Sequence, residues 1–367
     1  MKKECKEQSA KSKVQSEEYE GRKRKLLSVI CTLFALCPVL FASSGFAEEI
    51  RARAAIVMEE ATGRVLYGKN PNLRLPPAST TKLMTAMVVL DRLDVDSVVT
   101  ISRKATEVSP IKAKFRAGET VTVRTLLYAA LLKSANDAAY ALAEAVAGSE
   151  EKFAGLMNQK VLALGMSDTL FANATGLPGG TQYTTVFDLS RIMRNALRYP
   201  LLREIISTRA SNISTEEGRT IFVKNINKLL WRDESMVGGK TGYTRAAKHC
   251  FVCAGTQDNE TVIVAVLGAP SRELLWRESE ALLAKGFAVK NSQEEPVIYF
   301  TRSDYKASVK QASYTGGQQE TSDVSYKKQT AKGAKKAGKN KTKGHTKKKK
   351  KVKSNDVAFN GPDGTQG

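Results

Sequence analysis

A serine and a lysine three residues apart, Ser79 and Lys82, are the first pair in this sequence with the residue types for nucleophilic catalysis. Residues at positions i and i+3 of a helix lie on the same face, so the Lys82 amine can reach the Ser79 hydroxyl. A serine at the start of a helix is also close to unpaired backbone N–H groups, which favour a developing oxyanion. By itself the pair is weak, since a helix-capping serine and an exposed lysine give the same pattern.

The other candidate bases are few. The chain has two histidines, His249 and His345, and His345 lies in a lysine-rich C-terminal stretch. A Ser-His-Asp hydrolase would have to use His249, which sits in an apolar run that is typical of a strand and is expected to pack. Zinc motifs built on two histidines are excluded from the globular part. Lysine is therefore the expected base, because burial and cationic neighbours lower its pKa.

Two further motifs follow in order along the chain. Ser134-Ala135-Asn136 comes 55 residues after Ser79, at an expected break between helices, and Lys240-Thr241-Gly242 comes 104 residues after Asn136, at an expected strand. Each has an ordinary interpretation, as a helix cap or as a turn. The ordered set of three, with Ala135 as a variant in the middle position, is the signature of penicillin-binding proteins and class A β-lactamases.

From about residue 50 to 290 the chain resembles the low-molecular-mass penicillin-binding proteins, serine-type D-alanyl-D-alanine carboxypeptidases. Four stretches carry the resemblance: Pro77-Ala-Ser-Thr-Thr-Lys-Leu-Met-Thr-Ala86, Leu132-Lys-Ser-Ala-Asn-Asp-Ala-Ala139, Asn173-Ala-Thr-Gly-Leu177 and Gly239-Lys-Thr-Gly-Tyr-Thr244. The resemblance implies removal of the terminal D-Ala from peptidoglycan stem peptides through an acyl-enzyme, inhibition by β-lactams, and no cofactor or metal.

The same resemblance implies a role for each matching residue. Ser79 would be the nucleophile and Lys82 its general base, while Ser134 and Asn136 would relay protons and hold the substrate amide. Lys240, Thr241 and Gly242 form the strand motif, of which Lys240 and Thr241 would engage the terminal carboxylate. The backbone N–H groups of Ser79 and Tyr243 would form the oxyanion hole. Arg277 resembles the arginine of the family that binds the carboxylate, although a charge on the helix surface is the ordinary alternative.

Three other functions remain open from the residues. A class A β-lactamase would use a glutamate in an E-x-x-L-N pattern, and that pattern is missing between Asn136 and Lys240. A D,D-endopeptidase differs only in the peptide that it accepts. A protein that binds wall polymers or other polyanions through its basic tail is the alternative from another class.

The elements that must position these residues indicate an α+β fold, with an antiparallel sheet covered by helices as in serine β-lactamases and DD-peptidases. Alternating apolar residues predict a hairpin over 50–69 and three later strands, with a turn at Gln257-Asp-Asn-Glu260 between the last two. Helical spacing is found in five segments. The predicted strands after the hairpin are Met236–Tyr243, Cys250–Thr256 and Thr261–Ala269, and the predicted helices are Thr80–Leu93, 122–147 with its break, 149–165, Phe187–Leu197 and Glu273–Phe287.

The net charge of +21 is unevenly distributed, because residues 301–367 hold seventeen Lys/Arg against five Asp/Glu. Residues 1–47 read as a signal peptide or an N-terminal anchor, with a cationic start, a 16-residue apolar run and small residues before Glu48. The catalytic domain is expected at 48–290, a short linker or stub at 291–305, and a disordered Lys-rich tail at 306–367. The protein is thus expected to be exported to the periplasm or cell envelope, with a membrane surface or anionic wall polymer as partner of the tail.

Many members of the family carry a second, all-β domain and then an amphipathic anchor helix, whereas only Glu294–Phe300 is strand-like here. Cys250 and Cys253 have the C-x-x-C spacing of some redox and zinc sites. Residues i and i+3 of a strand face opposite sides, so the two are expected to be small buried hydrophobes.

Overall fold

The computed structural model describes residues 49–291 and 294–301. The signal peptide or anchor predicted at 1–47 and the tail predicted at 306–367 lie outside the described residues, as does part of the predicted linker. No helix in the described ranges combines the length and the apolar character that a membrane-spanning helix needs.

Strands open and close the described chain, and most of the helices lie between them. The strands are β1 (Ala54–Glu59), β2 (Val65–Lys69), β3 (Val98–Thr100), β4 (Thr120–Thr122), β5 (Ala210–Ser214), β6 (Thr220–Lys224), β7 (Met236–Thr244), β8 (Lys248–Gln257), β9 (Glu260–Ala269) and β10 (Val297–Tyr299). The helices are α1 (Lys82–Leu90), α2 (Arg103–Glu107), α3 (Val123–Leu132), α4 (Asn136–Ala147), α5 (Glu150–Ala163), α6 (Val186–Ala196), α7 (Pro200–Ser207) and α8 (Arg272–Lys290). Short 3-10 turns form at Ala78–Thr81 and Leu229–Trp231.

Six of the strands form one sheet in the order β10-β2-β1-β9-β8-β7, in which only the β10–β2 pair is parallel. The predicted α+β fold is confirmed, as is the pairing of β8 with β9 through Gln257 and Glu260. Asp258 and Asn259 have φ values of 50° and 62°. A two-residue hairpin turn with positive φ at both central positions favours these residue types, which explains why this turn was readable in the sequence.

Helices cover both faces of the sheet, and side chains alternate between two buried clusters. In β8, Cys250, Val252 and Ala254 lie in the cluster shared with most of the helices. Phe251 and Cys253 lie in the cluster shared with α8. The prediction that the two cysteines are buried on opposite sides of a strand is therefore confirmed. Burial raises the pKa of Cys250 to about 12 and also raises the pKa of Cys253, so both thiols are protonated at neutral pH.

The segment predicted as a linker or stub contributes β10 to the edge of the sheet. Val297 and Tyr299 pair with β2 residues Tyr67 and Lys69, and the Tyr67 and Tyr299 hydroxyls are 2.9 Å apart. The strand-like segment Glu294–Phe300 is thus part of the same sheet as β7, the strand that carries Lys240-Thr241-Gly242, and lies at the opposite edge.

Two local differences from the predicted elements have clear causes. The helix predicted over Thr80–Leu93 begins as a tight 3-10 turn at Ala78–Thr81 and becomes α-helical only at Lys82. The helix predicted over Phe187–Leu197 forms as α6, and Pro200 then begins α7, a helix that was not predicted from the sequence. Proline suits the first turn of a helix, because its missing N–H would be unpaired there.

Candidate active site

Ser79 is the second residue of the 3-10 turn Ala78–Thr81, which follows Pro76 and Pro77 and leads into α1. The preceding residue, Ala78, is buried and has a φ of 49°, a left-handed conformation that is uncommon for a residue with a side chain. Strain of this kind persists only where the surroundings enforce it, and it is concentrated at functional sites. The surrounding structure therefore fixes the backbone at Ala78 and, with it, the position of Ser79.

Lys82 is 1% exposed, and its Nζ has three oxygen neighbours. Ser79 Oγ lies at 3.0 Å, Asn136 Oδ1 at 2.7 Å and the backbone oxygen of Thr175 at 2.7 Å. The i, i+3 spacing predicted the contact with Ser79, and the packing of α4 against α1 supplies the contact with Asn136.

Ser134 and Asn136 lie at the break between α3 and α4. Ser134 has a φ of 63°, and its buried Oγ lies 2.9 Å from Lys240 Nζ. Lys240 is itself 1% exposed, and its Nζ also donates to the backbone oxygen of Thr241 at 2.9 Å. The structure thus brings two Ser–Lys pairs together at one site, Ser79 with Lys82 and Ser134 with Lys240.

Strand β7 carries Lys240 to Tyr243 along the open edge of the sheet, beside the serine turn. A Cβ atom at Gly242 would lie 2.7 Å from the backbone nitrogen of Ser79, closer than real Cβ contacts allow. Glycine in the third position of the motif therefore lets the edge strand approach the nucleophile. Tyr243 follows with its side chain 56% exposed.

The loop Asn173–Leu177 packs against the back of the nucleophile. Asn173 Oδ1 accepts hydrogen bonds from the backbone nitrogens of Thr175 at 3.2 Å and Gly176 at 2.7 Å. Gly176 has a φ of +77°, and a Cβ there would lie 1.8 Å from the backbone oxygen of Ala78. This loop holds the Thr175 carbonyl at Lys82. The role of the Thr175 carbonyl could not be predicted from the sequence, because a backbone carbonyl leaves no residue-type signal.

Burial governs the electrostatics of the two lysines. Burial, and then the neighbouring Lys240, hold the pKa of Lys82 well below its ordinary value, while Glu150 and Asp137 act in the opposite direction. Burial lowers the pKa of Lys240 to about 7. Glu150, whose own pKa is raised by burial, accepts a hydrogen bond from the backbone nitrogen of Ala174 at 3.1 Å. Burial thus favours the neutral form of Lys82 relative to that of an exposed lysine.

A cleft of about 580 Å³ opens over the reactive groups. Of the predicted site residues, Ser79, Ser134, Thr241, Gly242 and Tyr243 line the cleft. Lys82, Asn136 and Lys240 are buried residues that contact these lining residues or one another. Within the described residues, no group of three or more His, Cys, Asp or Glu side chains is arranged to hold a metal ion.

Arg277, which the sequence placed at the substrate carboxylate, is exposed and is not among the residues that line the cleft. Arg272 lines the cleft instead, together with Leu275 and Trp276. Side chains five residues apart on a helix point about 140° away from each other, so only one of the two arginines can face the site. Only Arg277 was predicted from the sequence, because the resemblance does not fix the rotation of α8 on the sheet.

His249 also differs from its expected purely packing role. It lines the cleft, and its ring lies 4.5 Å from the ring of Tyr243. Burial, followed by Arg272 and Lys248, lowers the pKa of His249. The group in hydrogen-bond contact with Ser79 Oγ is nevertheless Lys82, at 3.0 Å.

The chain is similar in sequence to proteins of one family. A profile of the family described as D-alanyl-D-alanine carboxypeptidase matches residues 42–271. The D-alanyl-D-alanine carboxypeptidase DacF of Bacillus subtilis is 31% identical over 301 residues, which cover 78% of this chain and 76% of that protein. A D-alanyl-D-alanine endopeptidase of Pseudomonas aeruginosa is 35% identical over 263 residues, which cover 67% of this chain and 83% of that protein.

The chain is also similar to solved structures of DD-peptidases. A Streptomyces DD-transpeptidase matches with a TM-score of 0.63 and 34% identity, over 65% of this chain and 98% of that chain. The matched share of the present chain is close to the share occupied by the sheet and its helices.

Proposed function

The chain belongs to the D-alanyl-D-alanine carboxypeptidase family and is a serine-type D-Ala-D-Ala carboxypeptidase, and from that premise we propose that Ser79 is the residue acylated by the substrate. The observation that carries this proposal is the set of neighbours around Lys82 Nζ. The Asn136 side-chain oxygen and the Thr175 carbonyl only accept hydrogen bonds, whereas the Ser79 hydroxyl can also donate. A neutral amine has two N–H groups and one lone pair. When Lys82 is neutral, its two N–H groups can serve the two acceptors and its lone pair can accept the proton of the Ser79 hydroxyl.

The reaction follows from that arrangement. Ser79 Oγ attacks the carbonyl carbon of the penultimate D-Ala while its proton passes to Lys82 Nζ. The oxyanion lies at the backbone N–H groups of Ser79 and Tyr243, near the positive end of α1. The C–N bond then breaks, and the leaving D-Ala amine takes up a proton through Ser134. Water hydrolyses the ester on Ser79, releasing the shortened peptide and restoring the hydroxyl.

The Ser134–Lys240 pair would serve the leaving-group side of the reaction. Lys240 Nζ contacts Ser134 Oγ at 2.9 Å, and Lys240 is followed by Thr241 on the cleft wall. Asn136 Oδ1 accepts a hydrogen bond from Lys82 Nζ at 2.7 Å, and Asn136 would hold the substrate amide. Release of D-Ala from a synthetic stem peptide that ends in D-Ala-D-Ala tests the function directly. A purified protein that releases none would contradict it.

Arg272, with Lys240 and Thr241, would bind the terminal carboxylate. We expect Arg272→Ala to lower kcat/KM for a D-Ala-D-Ala peptide by about tenfold, on the scale of a hydrogen bond to a charged group. Hydrolysis of a thioester that lacks this carboxylate should change by less than about twofold.

Arg277→Ala is the matched control, because it removes the same charge from the same helix outside the cleft. Steady-state kinetics on both substrates decide the assignment. If Arg277→Ala lowers kcat/KM for the peptide but not for the thioester, the assignment of the carboxylate to Arg277 stands. Equal losses of kcat/KM on both substrates in Arg272→Ala would show that Arg272 has only a structural role.

Endopeptidase activity is the second candidate function, favoured by the similarity to the Pseudomonas aeruginosa endopeptidase. The same acyl-enzyme would form, with the amine of a cross-linked peptide as leaving group. Cleavage of a purified cross-linked peptide dimer, measured beside D-Ala release from the monomer, gives the balance between the two activities.

β-Lactams, whose amide is attacked in the same way, are expected to acylate Ser79.

The family supports a location in the cell envelope, and we infer that residues 306–367 hold the protein at an anionic surface there. The stretch 301–367 carries a net charge of +12. Truncation after residue 305 should remove most of the binding to anionic vesicles or wall sacculi and leave turnover of a soluble peptide unchanged. Binding by the full chain should fall steeply with salt, because the screening length shrinks from about 10 Å at 0.1 M to about 3 Å at 1 M. Equal sedimentation of both proteins with the vesicles at low salt would contradict this role.

A further inference from the structure

The catalytic cleft carries more positive charge than one terminal carboxylate needs. Lys224, Lys228, Arg232 and Arg272 line it, and within the part of the chain that the structure describes no Asp or Glu lines it. A cleft lined by charges of one sign concentrates the electrostatic field that acts on a bound ligand. Once Arg272 is assigned to the terminal carboxylate, three cations remain among the residues that line the cleft.

These three cations belong to one short segment, which runs from the end of β6 to just after the 3-10 turn Leu229–Trp231. Lys224, Ile226 and Lys228 are exposed, while the alternate residues Asn225 and Asn227 are buried. The alternation directs Lys224, Ile226 and Lys228 to the same side of the segment. These three side chains line the cleft, as does that of Arg232.

The backbone of this segment is held in place by buried amides. Asn225 Nδ2 donates to the backbone oxygen of Thr208 at 3.0 Å, and Asn225 Oδ1 accepts from the backbone nitrogen of Asn227 at 3.0 Å. The backbone nitrogen of Ile226 donates to the backbone oxygen of Leu132, the last residue of α3, at 3.1 Å. The wall is therefore tied to the helix that precedes Ser134.

The three cations are not neutralised by neighbouring carboxylates. Among residues 49–291 and 294–301, no Asp or Glu oxygen forms an ion pair with Lys224, Lys228 or Arg232. The following acid, Asp233, accepts hydrogen bonds from the backbone and side chain of Ser235. Lys224 Nζ lies 4.6 Å from the centre of the Trp231 ring, a cation–π contact that orders the lysine without cancelling its charge.

We propose that the wall formed by Lys224, Lys228 and Arg232 binds a carboxylate of the substrate other than its C-terminal one. The preferred substrate is then a D-Ala-D-Ala peptide with a free carboxylate in the residues before D-Ala-D-Ala, rather than its amidated form. Ile226 and Trp231, both exposed on the same wall, suit the aliphatic part of such an acidic residue. This inference rests on the proposed carboxypeptidase function and deepens it to a substrate class.

The test uses two synthetic peptides, acetyl-γ-D-glutamyl-L-lysyl-D-Ala-D-Ala with the glutamyl carboxylate free or amidated. The full-length wild-type protein should have a higher kcat/KM on the free acid. The double variant Lys228→Gln/Arg232→Gln should lower kcat/KM on the free acid by about threefold to tenfold, the scale of two exposed ion pairs, and leave the amidated peptide unchanged. Lys224→Gln should act in the same direction with a smaller effect.

The matched control is Lys104→Gln/Lys152→Gln, which removes the same two charges at exposed positions outside the cleft. It should leave the ratio of the two peptides unchanged. The proposal would be overturned if the cleft variant lost kcat/KM equally on both peptides, or if the control changed the ratio of the two peptides as much as the cleft variant does. In both cases D-Ala would still be released. No release from either peptide by the wild type would overturn the proposed function itself and this inference with it.

Discussion

Replacement of Ser79 by alanine is expected to abolish covalent labelling by a fluorescent penicillin and to lower D-Ala release by about 10⁴-fold or more, the scale seen when a catalytic nucleophile is removed. The hydroxyl lies 3.0 Å from Lys82 Nζ in a turn that is braced by a left-handed Ala78 and by Gly242. The alanine side chain keeps the turn and removes only the attacking oxygen. The fold should therefore survive while the chemistry is lost.

Intact-protein mass spectrometry after incubation with a penicillin measures this result, and peptide mapping of the wild type locates the adduct. Ser167→Ala is a suitable control, because Ser167 is an exposed serine outside the cleft. It should label as the wild type does. Undiminished labelling of Ser79→Ala would remove Ser79 from the mechanism.

Removal of the Lys82 amine is expected to lower kcat/KM by about 10²–10⁴-fold, the usual contribution of a general base. Because Lys82 is fully buried, alanine would also leave a cavity beside Asn136 and Thr175. Lys82→Met fills that space without a proton acceptor and should show the same loss. Thermal unfolding of both variants separates a folding defect from a chemical one.

The pH dependence gives a second measure of the same group. Lys82 acts as a base only when neutral, and burial together with Lys240 holds its pKa below the ordinary range. Activity should therefore be lost as the pH falls through the pKa of Lys82, at a lower pH than the ordinary lysine pKa would give. Glu150→Gln removes a nearby negative charge that raises this pKa, so the acidic limb should move to lower pH.

His249→Gln provides the contrast, since His249 lines the cleft but stacks on Tyr243 rather than contacting Ser79. It should keep most of the activity and the acidic limb of the pH profile. A larger loss in His249→Gln than in Lys82→Met would assign the base to the histidine.

Local spacing made much of this protein readable from its sequence. The i, i+3 spacing of Ser79 and Lys82 places two side chains on one helical face, and the period of two along β8 separates Cys250 from Cys253. The turn at 257–260 was readable because Asp and Asn tolerate a positive φ. These are properties of a few neighbouring residues, so they do not depend on how the rest of the chain is packed.

The sequence by itself determined which residue types are available for the chemistry and in which order they occur, but it did not determine their distances across the fold. The contact of Lys82 with Asn136, the contact of Lys240 with Ser134, and the position of Arg272 rather than Arg277 in the cleft lining depend on how helices rotate and pack on the sheet. The Thr175 carbonyl was hidden for another reason, since every residue carries a backbone oxygen and only a folded loop selects one. The cationic wall at 224–232 was likewise unreadable, because its charges are separated in sequence from the motifs and meet them only when β6 and α3 bring the segment to the cleft.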